Sequence, residues 1–314
     1  MFDAITSNKR RSVALVAAFV ALVVVAGWAF SLVVGFGPLG VLLALVIAIG
    51  GSALSWWKSD AIALAMSHAR PADTTTYARL HNIVEGLCIA AGVPKPRLYV
   101  IEDDAPNAFA TGRDPKHASV AITTGLLEKL DREELQGVIG HELSHVRNFD
   151  IRFALIVGVM VGAIAILADF FLRFTFWGGG RRGRDRDGGG GQAIIFFIAI
   201  ALAILAPIIA RFIQLAVSRQ REYLADASAV ELTRNPYGLE RALAKISGDP
   251  EVLEVANRGT MHMYFTNPIK KFEERSSNLF STHPQVVDRI NRLRELTGEA
   301  PLTAPEAATL AGLE

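Results

Sequence analysis

The chain has 314 residues, of which 51% are hydrophobic and 20% charged, and its formal net charge is +1. Because positive and negative charges balance, the composition gives no indication of a nucleic-acid partner. A single cysteine, Cys88, excludes an intramolecular disulfide and a cysteine-rich zinc finger. The mean hydropathy of +0.32 is instead typical of a protein with membrane segments.

The first long apolar region runs from Ser12 to Trp57, which is 46 residues without a charged side chain. One membrane helix needs about 20 residues, and the Gly-Phe-Gly-Pro turn signal at residues 35–38 divides the region in two. We therefore predict that residues 1–57 form a membrane hairpin with helices near 12–34 and 39–57. A cleaved signal peptide is the alternative, but its apolar core would have only about 7–15 residues.

Residues 58–150 are polar and predict the first part of a mainly helical domain with a small sheet. Apolar residues at helical spacing indicate a helix over Thr74–Ala91, which Asp73 can cap. A second helix begins at Asp131, which together with Glu134 resembles a capping box. Between the helices, apolar and β-branched residues predict three strands, at Arg97–Ile101, Asn107–Thr111 and Ala118–Ile122.

The predicted strand Asn107–Thr111 has two interpretations. Cleavage of a peptide requires an extended backbone, and an open sheet edge can pair with such a backbone. In that case Asn107, Ala108 and Phe109 would bind substrate. The alternative is an ordinary core strand, which the sequence alone does not exclude.

A metal-binding pattern lies in the helix that begins at Asp131. The sequence His-Glu-Leu-Ser-His at 141–145 places two histidines four residues apart, and residues at that spacing share one helix face. Two such imidazoles can hold a zinc ion, and the glutamate beside them can accept a proton from the attacking water. The sequence therefore predicts His141 and His145 as ligands of one zinc ion per chain and Glu142 as the catalytic base.

A second membrane hairpin is predicted within residues 151–218, with helices near 153–175 and 192–212. Between these helices lies the glycine- and arginine-rich loop 178–191, which has no apolar residue and cannot contribute to a packed core. The loop should lie across the membrane from the predicted zinc site. Its role is not evident from the sequence.

The topology follows from the number of crossings. Two hairpins return the chain to the side on which it started, so residues 58–150 and 219–314 can build one catalytic domain together. Basic residues at positions 9–11 precede the first helix and favour a cytoplasmic N-terminus. Both termini and the catalytic domain are therefore expected in the cytoplasm. Further helices of the domain are predicted over residues 211–232, 237–247 and 284–297.

A catalytic zinc site uses three protein ligands, so a third is required. Asp150 is too close to His145 to swing round and leads directly into a membrane segment. Glu222, just beyond the second hairpin, is the best candidate. Asp226 lies four residues further on the same helix face and can accept a hydrogen bond from a ligating histidine. A solvated ion-pair face is the alternative, because residues 219 and 221 are arginines.

Four motifs make the sequence resemble the HtpX-type membrane zinc metallopeptidases, relatives of the CAAX prenyl endopeptidase family. They are His-Glu-Leu-Ser-His at 141–145, Arg-Glu-Tyr-Leu-Ala-Asp at 221–226, Asn-Ala-Phe-Ala-Thr-Gly at 107–112 and Ser-Thr-His-Pro at 281–284. The resemblance covers nearly the whole chain. It implies a multi-pass α-helical membrane protein with a mainly α, zincin-like α+β catalytic domain. It implies that His141, His145 and Glu222 are the zinc ligands. It also implies that Glu142 is the catalytic base and that Asp226 supports the site.

The resemblance also implies an activity. Such an enzyme cleaves damaged or misassembled membrane proteins and unfolded polypeptides at the cytoplasmic face of the cell membrane. The resemblance places a His-Pro pair at residues 283–284, which makes His283 a candidate hydrogen-bond donor to the oxyanion. The alternative is an N-terminal helix residue ahead of Pro284. A CAAX-type processing protease and a non-catalytic metal-binding membrane scaffold are the alternatives.

Overall fold

The computed structural model describes residues 60–152, 219–254, 264–266 and 284–303, together with isolated positions elsewhere. Among these described residues, no helix combines the length and the hydropathy that crossing a membrane requires. Several predicted features lie outside the described residues, except for a few isolated positions within them. These features are the membrane helices near 12–34, 39–57, 153–175 and 192–212 and the loop 178–191. His283 lies outside them as well.

The chain divides into two compact units. The first comprises residues 1–5, 59–155 and 214–314, and the second comprises residues 6–58 and 156–213. Nearly all the described residues belong to the first unit, which is an α+β domain with a small sheet.

The sheet of the first unit has four strands in the described part of the chain. They are β1 (Arg70–Pro71), β2 (Arg97–Ile101), β3 (Ala108–Gly112) and β4 (Ala118–Thr123), in the spatial order β1-β2-β4-β3. β2 and β4 are parallel, whereas the β1–β2 and β3–β4 pairs are antiparallel. This order places β3, the predicted substrate strand, at one end of the row of strands.

Six helices of the first unit have defined bounds. They are α1 (Ala78–Ala91), α2 (Thr124–Lys129), α3 (Arg132–Arg147), α4 (Arg219–Thr233), α5 (Pro236–Gly248) and α6 (Val286–Thr297). α3 is central, since it contacts α1, α4, α5 and β3. The main hydrophobic cluster includes Val120 and Ile122 from the sheet, Val84 from α1 and Val138 from α3. The α3 helix is therefore held on several sides, which fixes the face that carries the histidines.

The start of α3 is built as the sequence indicates. The side chain of Asp131 accepts a hydrogen bond from the backbone N–H of Glu134, and the carboxylate of Glu134 accepts one from the N–H of Asp131. This capping box satisfies two of the backbone donors that a helix start leaves without a partner.

The start of α1 differs from the prediction. The helix begins at Ala78 rather than Thr74, and Tyr77 occupies the N-cap position. Asp73 instead accepts hydrogen bonds from the backbone and the hydroxyl groups of Thr75 and Thr76. Hydroxyl and carboxylate side chains compete with the helix for these backbone donors, so the three consecutive threonines form a turn before the helix.

Close packing between α3 and α5 gives a stability prediction. A Cβ atom at Gly137 of α3 would lie 2.8 Å from the backbone of Leu239 in α5. We expect Gly137→Ala to lower the free energy of unfolding by about 1–3 kcal/mol through overpacking. Gly86, within α1, has nothing within 4 Å of its Cβ position. Gly86→Ala should therefore raise stability by about 0.5–1 kcal/mol, and urea unfolding in detergent measures both changes. Equal effects of the two substitutions would contradict the packing argument.

Candidate metal centre

The candidate metal centre lies where α3 crosses α4. Small side chains let the two helices approach closely, because a Cβ atom at Gly140 would lie only 3.3 Å from the Cα and Cβ atoms of Ala229. His141 follows Gly140 on α3, and Glu222 lies two turns before Ala229 on α4. The crossing therefore brings together polar side chains that are far apart in the sequence.

His141, His145 and Glu222 converge on one point. The Nε2 atoms of the two histidines are 3.0 Å apart, and each lies 3.5 Å from a carboxylate oxygen of Glu222. Donors bound to one tetrahedral zinc ion at about 2.0–2.2 Å are separated by about 3.3–3.6 Å. The two histidine–glutamate distances lie in this range, and the histidine–histidine distance is slightly shorter. The three ligand atoms form the one candidate metal group among the described residues. Their spacing and chemistry fit one zinc ion, with a coordination position left for water or substrate.

The orientation of His141 is set by two further buried side chains. Its Nδ1 is 2.8 Å from a carboxylate oxygen of Asp226. Arg289, from α6, donates to both oxygens of that carboxylate, at 2.6 and 2.9 Å. Burial alone would raise the pKa of Asp226, but the charge and hydrogen bonds of Arg289 outweigh it and hold the pKa below its ordinary value. An ionised Asp226 accepts a hydrogen bond from the Nδ1–H of His141, and this tautomer leaves the Nε2 lone pair for a metal.

His145 has an equivalent partner that the sequence did not indicate. Its Nδ1 is 3.1 Å from a carboxylate oxygen of Asp150. Burial lowers the pKa of His145, but the hydrogen bond to Asp150 and the negative charge of Glu222 outweigh it and raise the pKa to about 9. The surroundings of this imidazole therefore favour positive charge, and a divalent metal ion would supply that charge in place of a proton.

Glu142 is buried beside the two histidines, and it is not part of the metal-ligand group. Burial raises its pKa, although the neighbouring imidazoles and a hydrogen bond from the backbone N–H of Ala110 act in the opposite direction. A carboxylate with a raised pKa is a better proton acceptor at neutral pH. Through Ala110, the candidate base is also fixed to strand β3.

The edge of β3 is partly covered. The backbone N–H of Phe265 donates to the carbonyl of Ala108 at 2.8 Å, and Tyr264 forms a bridge with Phe109. The Asn107 side chain donates to the carbonyl of Thr266 at 3.2 Å. The expected open edge is thus not present at Ala108 and Phe109. The proposed contact of Asn107, Ala108 and Phe109 with substrate stays a prediction, as does the role of His283.

Besides Asp150, sequence reasoning missed two contributors to the centre, Arg289 and Phe265. Arg289 lies in an amphipathic helix that also contains arginines at residues 292 and 294. The sequence pattern therefore did not distinguish Arg289 as a buried residue. Its Nη1 also donates to the carbonyl of Phe265 at 3.2 Å, and the Phe265 ring meets the His141 ring edge-on at 4.9 Å between centroids. Segment 264–266 therefore contacts both the metal-binding imidazole and the edge of β3.

Comparison with known proteins gives a consistent family match. The sequence profile of peptidase family M48 matches residues 74–297. A protein named "Protease HtpX homolog" from Caldanaerobacter subterraneus is 43% identical over 298 residues, which cover 95% of this chain and 98% of the relative. One of the same name from Listeria monocytogenes serotype 4a is 45% identical over 304 residues, covering 94% and 100%. The crystal structure of S. mikatae Ste24p overlaps with a TM-score of 0.46 at 17% identity, covering 84% of this chain and 60% of that one.

Proposed function

This chain belongs to peptidase family M48 and is a metallopeptidase, and from that premise we propose that it is a zinc-dependent endopeptidase anchored in the cell membrane. The observation that carries the proposal is the convergence of His141, His145 and Glu222 on one point, with Glu142 buried beside them. Two histidines and a glutamate are a ligand set that catalytic zinc uses in other metallopeptidases.

The chemistry divides between the metal and the protein. A zinc ion held by this ligand set would act as a Lewis acid and lower the pKa of water towards neutrality. Glu142 accepts the proton as the water attacks the peptide carbonyl, and it passes the proton to the leaving amine. His141 and His145 would bind the metal through Nε2, while their Nδ1–H groups donate hydrogen bonds to Asp226 and Asp150.

Membrane anchoring is supported by the uncharged apolar stretches of the sequence, at 12–57, 153–168 and 192–210. Several of the isolated described positions in those regions carry large apolar side chains that are exposed, among them Trp28 at 54%, Leu39 at 72% and Phe197 at 68%. Exposed apolar surface of this kind is typical of contact with lipid or protein. We propose that the catalytic unit and both termini are cytoplasmic. Its substrates would be damaged or misassembled membrane proteins and unfolded polypeptides, which amounts to protein quality control.

The zinc requirement can be tested on the full chain in detergent. After chelation, wild-type protein should regain one zinc per chain and should cleave unfolded casein only when zinc is restored. Glu222→Gln should not retain stoichiometric zinc, because a neutral amide is a poor ligand compared with a carboxylate. Zinc content by mass spectrometry and casein cleavage over time are the measurements.

The matched control is Glu231→Gln, an exposed position on the same helix as Glu222. This variant should bind zinc and cleave casein as the wild type does. Casein cleavage that persists without zinc would contradict the proposed chemistry. Release of the protein from membranes by alkaline carbonate would contradict the proposed anchoring.

A further inference from the structure

The α3 helix ends at Arg147, two residues after the candidate ligand His145. The backbone N–H of Asn148 bonds to the carbonyl of Ser144 and ends the helix, and the N–H of Phe149 lies 3.3 Å from the carbonyl of Val146. Phe149 itself has φ = 61°, which is the left-handed region. Glycine is the usual residue in that conformation at a helix end. Because phenylalanine occupies this position instead of glycine, the sequence does not indicate that the helix ends here.

This break in the helix decides where the carboxylate of Asp150 lies. In an uninterrupted helix, residues five positions apart are rotated by about 140° around the axis and do not share a face. Asp150 follows His145 by five positions, yet its Oδ2 is 3.1 Å from the Nδ1 of His145. The contact therefore depends on the left-handed backbone at Phe149.

Asp150 is also held from the second helix of the site. The Nη1 of Arg221 on α4 lies 3.6 Å from the Oδ1 of Asp150, and Arg221 directly precedes the candidate ligand Glu222. One carboxylate thus contacts an imidazole of α3 and a guanidinium of α4. The His145–Asp150–Arg221 arrangement repeats the buried His141–Asp226–Arg289 arrangement on the other side of the metal centre. Each candidate metal histidine is therefore backed by a carboxylate that an arginine holds.

We infer that Asp150 is a positioning residue that fixes the orientation of His145 for metal binding, and that the left-handed backbone of Phe149 places it there. The inference rests on the proposed zinc site. By accepting a hydrogen bond from the Nδ1–H of His145, Asp150 directs the Nε2 lone pair of that imidazole towards the other two ligands. Loss of such a partner typically weakens metal binding about 10- to 100-fold.

The test measures zinc affinity by competition with a chromophoric chelator, using the full chain in detergent. Asp150→Ala should weaken zinc binding about 10- to 100-fold. Asp150→Asn keeps a hydrogen-bond acceptor and should recover much of this loss. The visible spectrum of the cobalt-substituted protein should shift in Asp150→Ala, because the orientation of one ligand changes. Asp288→Asn, an exposed aspartate on α6, is the matched control and should leave both readouts unchanged.

Phe149 variants separate the backbone from the side chain. Glycine adopts positive φ freely, whereas a β-branched residue resists it. Phe149→Gly should therefore keep zinc affinity within about threefold of the wild type, while Phe149→Val should weaken it about as much as Asp150→Ala does. Equal zinc affinity in Phe149→Gly and Phe149→Val would show that the backbone does not place Asp150.

The outcomes distinguish this inference from the proposed function. If the wild type binds no zinc, the proposed function fails and the inference falls with it. If the wild type binds one zinc and both Asp150 variants bind it with unchanged affinity, only the inference is wrong. If Asp150→Ala does not fold, Asp150→Asn and the Phe149 pair still decide the question.

Discussion

Replacement of Glu142 by glutamine is expected to lower kcat by about 100- to 10,000-fold, which is the range that general-base catalysis contributes. Glutamine has nearly the same shape and can still accept the hydrogen bond from the Ala110 N–H. It cannot accept a proton from water, however. Since Glu142 is not one of the three candidate ligands, zinc content should stay at one per chain. Steady-state cleavage of unfolded casein and metal analysis of the same sample measure the two effects.

The Glu142→Gln experiment also separates an enzyme from a metal-binding scaffold. If Glu142 acts only in the transition state, kcat and kcat/KM should fall together while KM changes little. Glu128→Gln, an exposed glutamate at the end of α2, controls for the loss of one negative charge. Full activity of Glu142→Gln would show that another group takes the proton. Loss of zinc in this variant would show that Glu142 supports the metal instead.

The parts of the site that could be predicted from sequence are those that depend on helical periodicity. His141 and His145 had to share a face once the segment after Asp131 was a helix, and that helix is present with its capping box. Asp226 shares a face with Glu222 for the same reason. Which helix faces meet is a tertiary property, and the proximity of these two segments in space became visible only in the structure.

The parts that could not be predicted arise from local conformations without a sequence signal and from long-range contacts. Asp150 was set aside as the third ligand because it is close to His145 in sequence and leads into a predicted membrane segment. Its contact with the Nδ1 of His145 depends on the left-handed backbone of Phe149, which no glycine marks in the sequence. The pairing of segment 264–266 with β3 joins residues more than 150 positions apart. Strand β1 has only two residues, one of them Pro71, which is too short for any alternating pattern.

Loss of Arg289 should strongly destabilise the catalytic unit. Its side chain is almost fully buried and binds both oxygens of Asp226, which is itself buried. Arg289 also lies over the Phe265 ring, with its guanidinium carbon 4.6 Å from the ring centroid. Removing one partner of such a pair leaves an uncompensated buried charge, which typically costs about 3–5 kcal/mol. Because Asp226 also orients His141, the same change should reach the metal centre.

We therefore expect Arg289→Met to lower the free energy of unfolding of the zinc-free protein by about 3–5 kcal/mol. Urea unfolding under chelation measures this, because bound metal would otherwise stabilise the native state and mask the change. Arg292→Met, an exposed arginine on the same helix, is the matched control and should cost much less. The double variant with Asp226→Asn should be less destabilised than the sum of the single variants, since it contains no unpaired buried charge. Strictly additive effects would show that the two side chains stabilise the fold independently, and that the Asp226–Arg289 pair does not act as one unit behind His141.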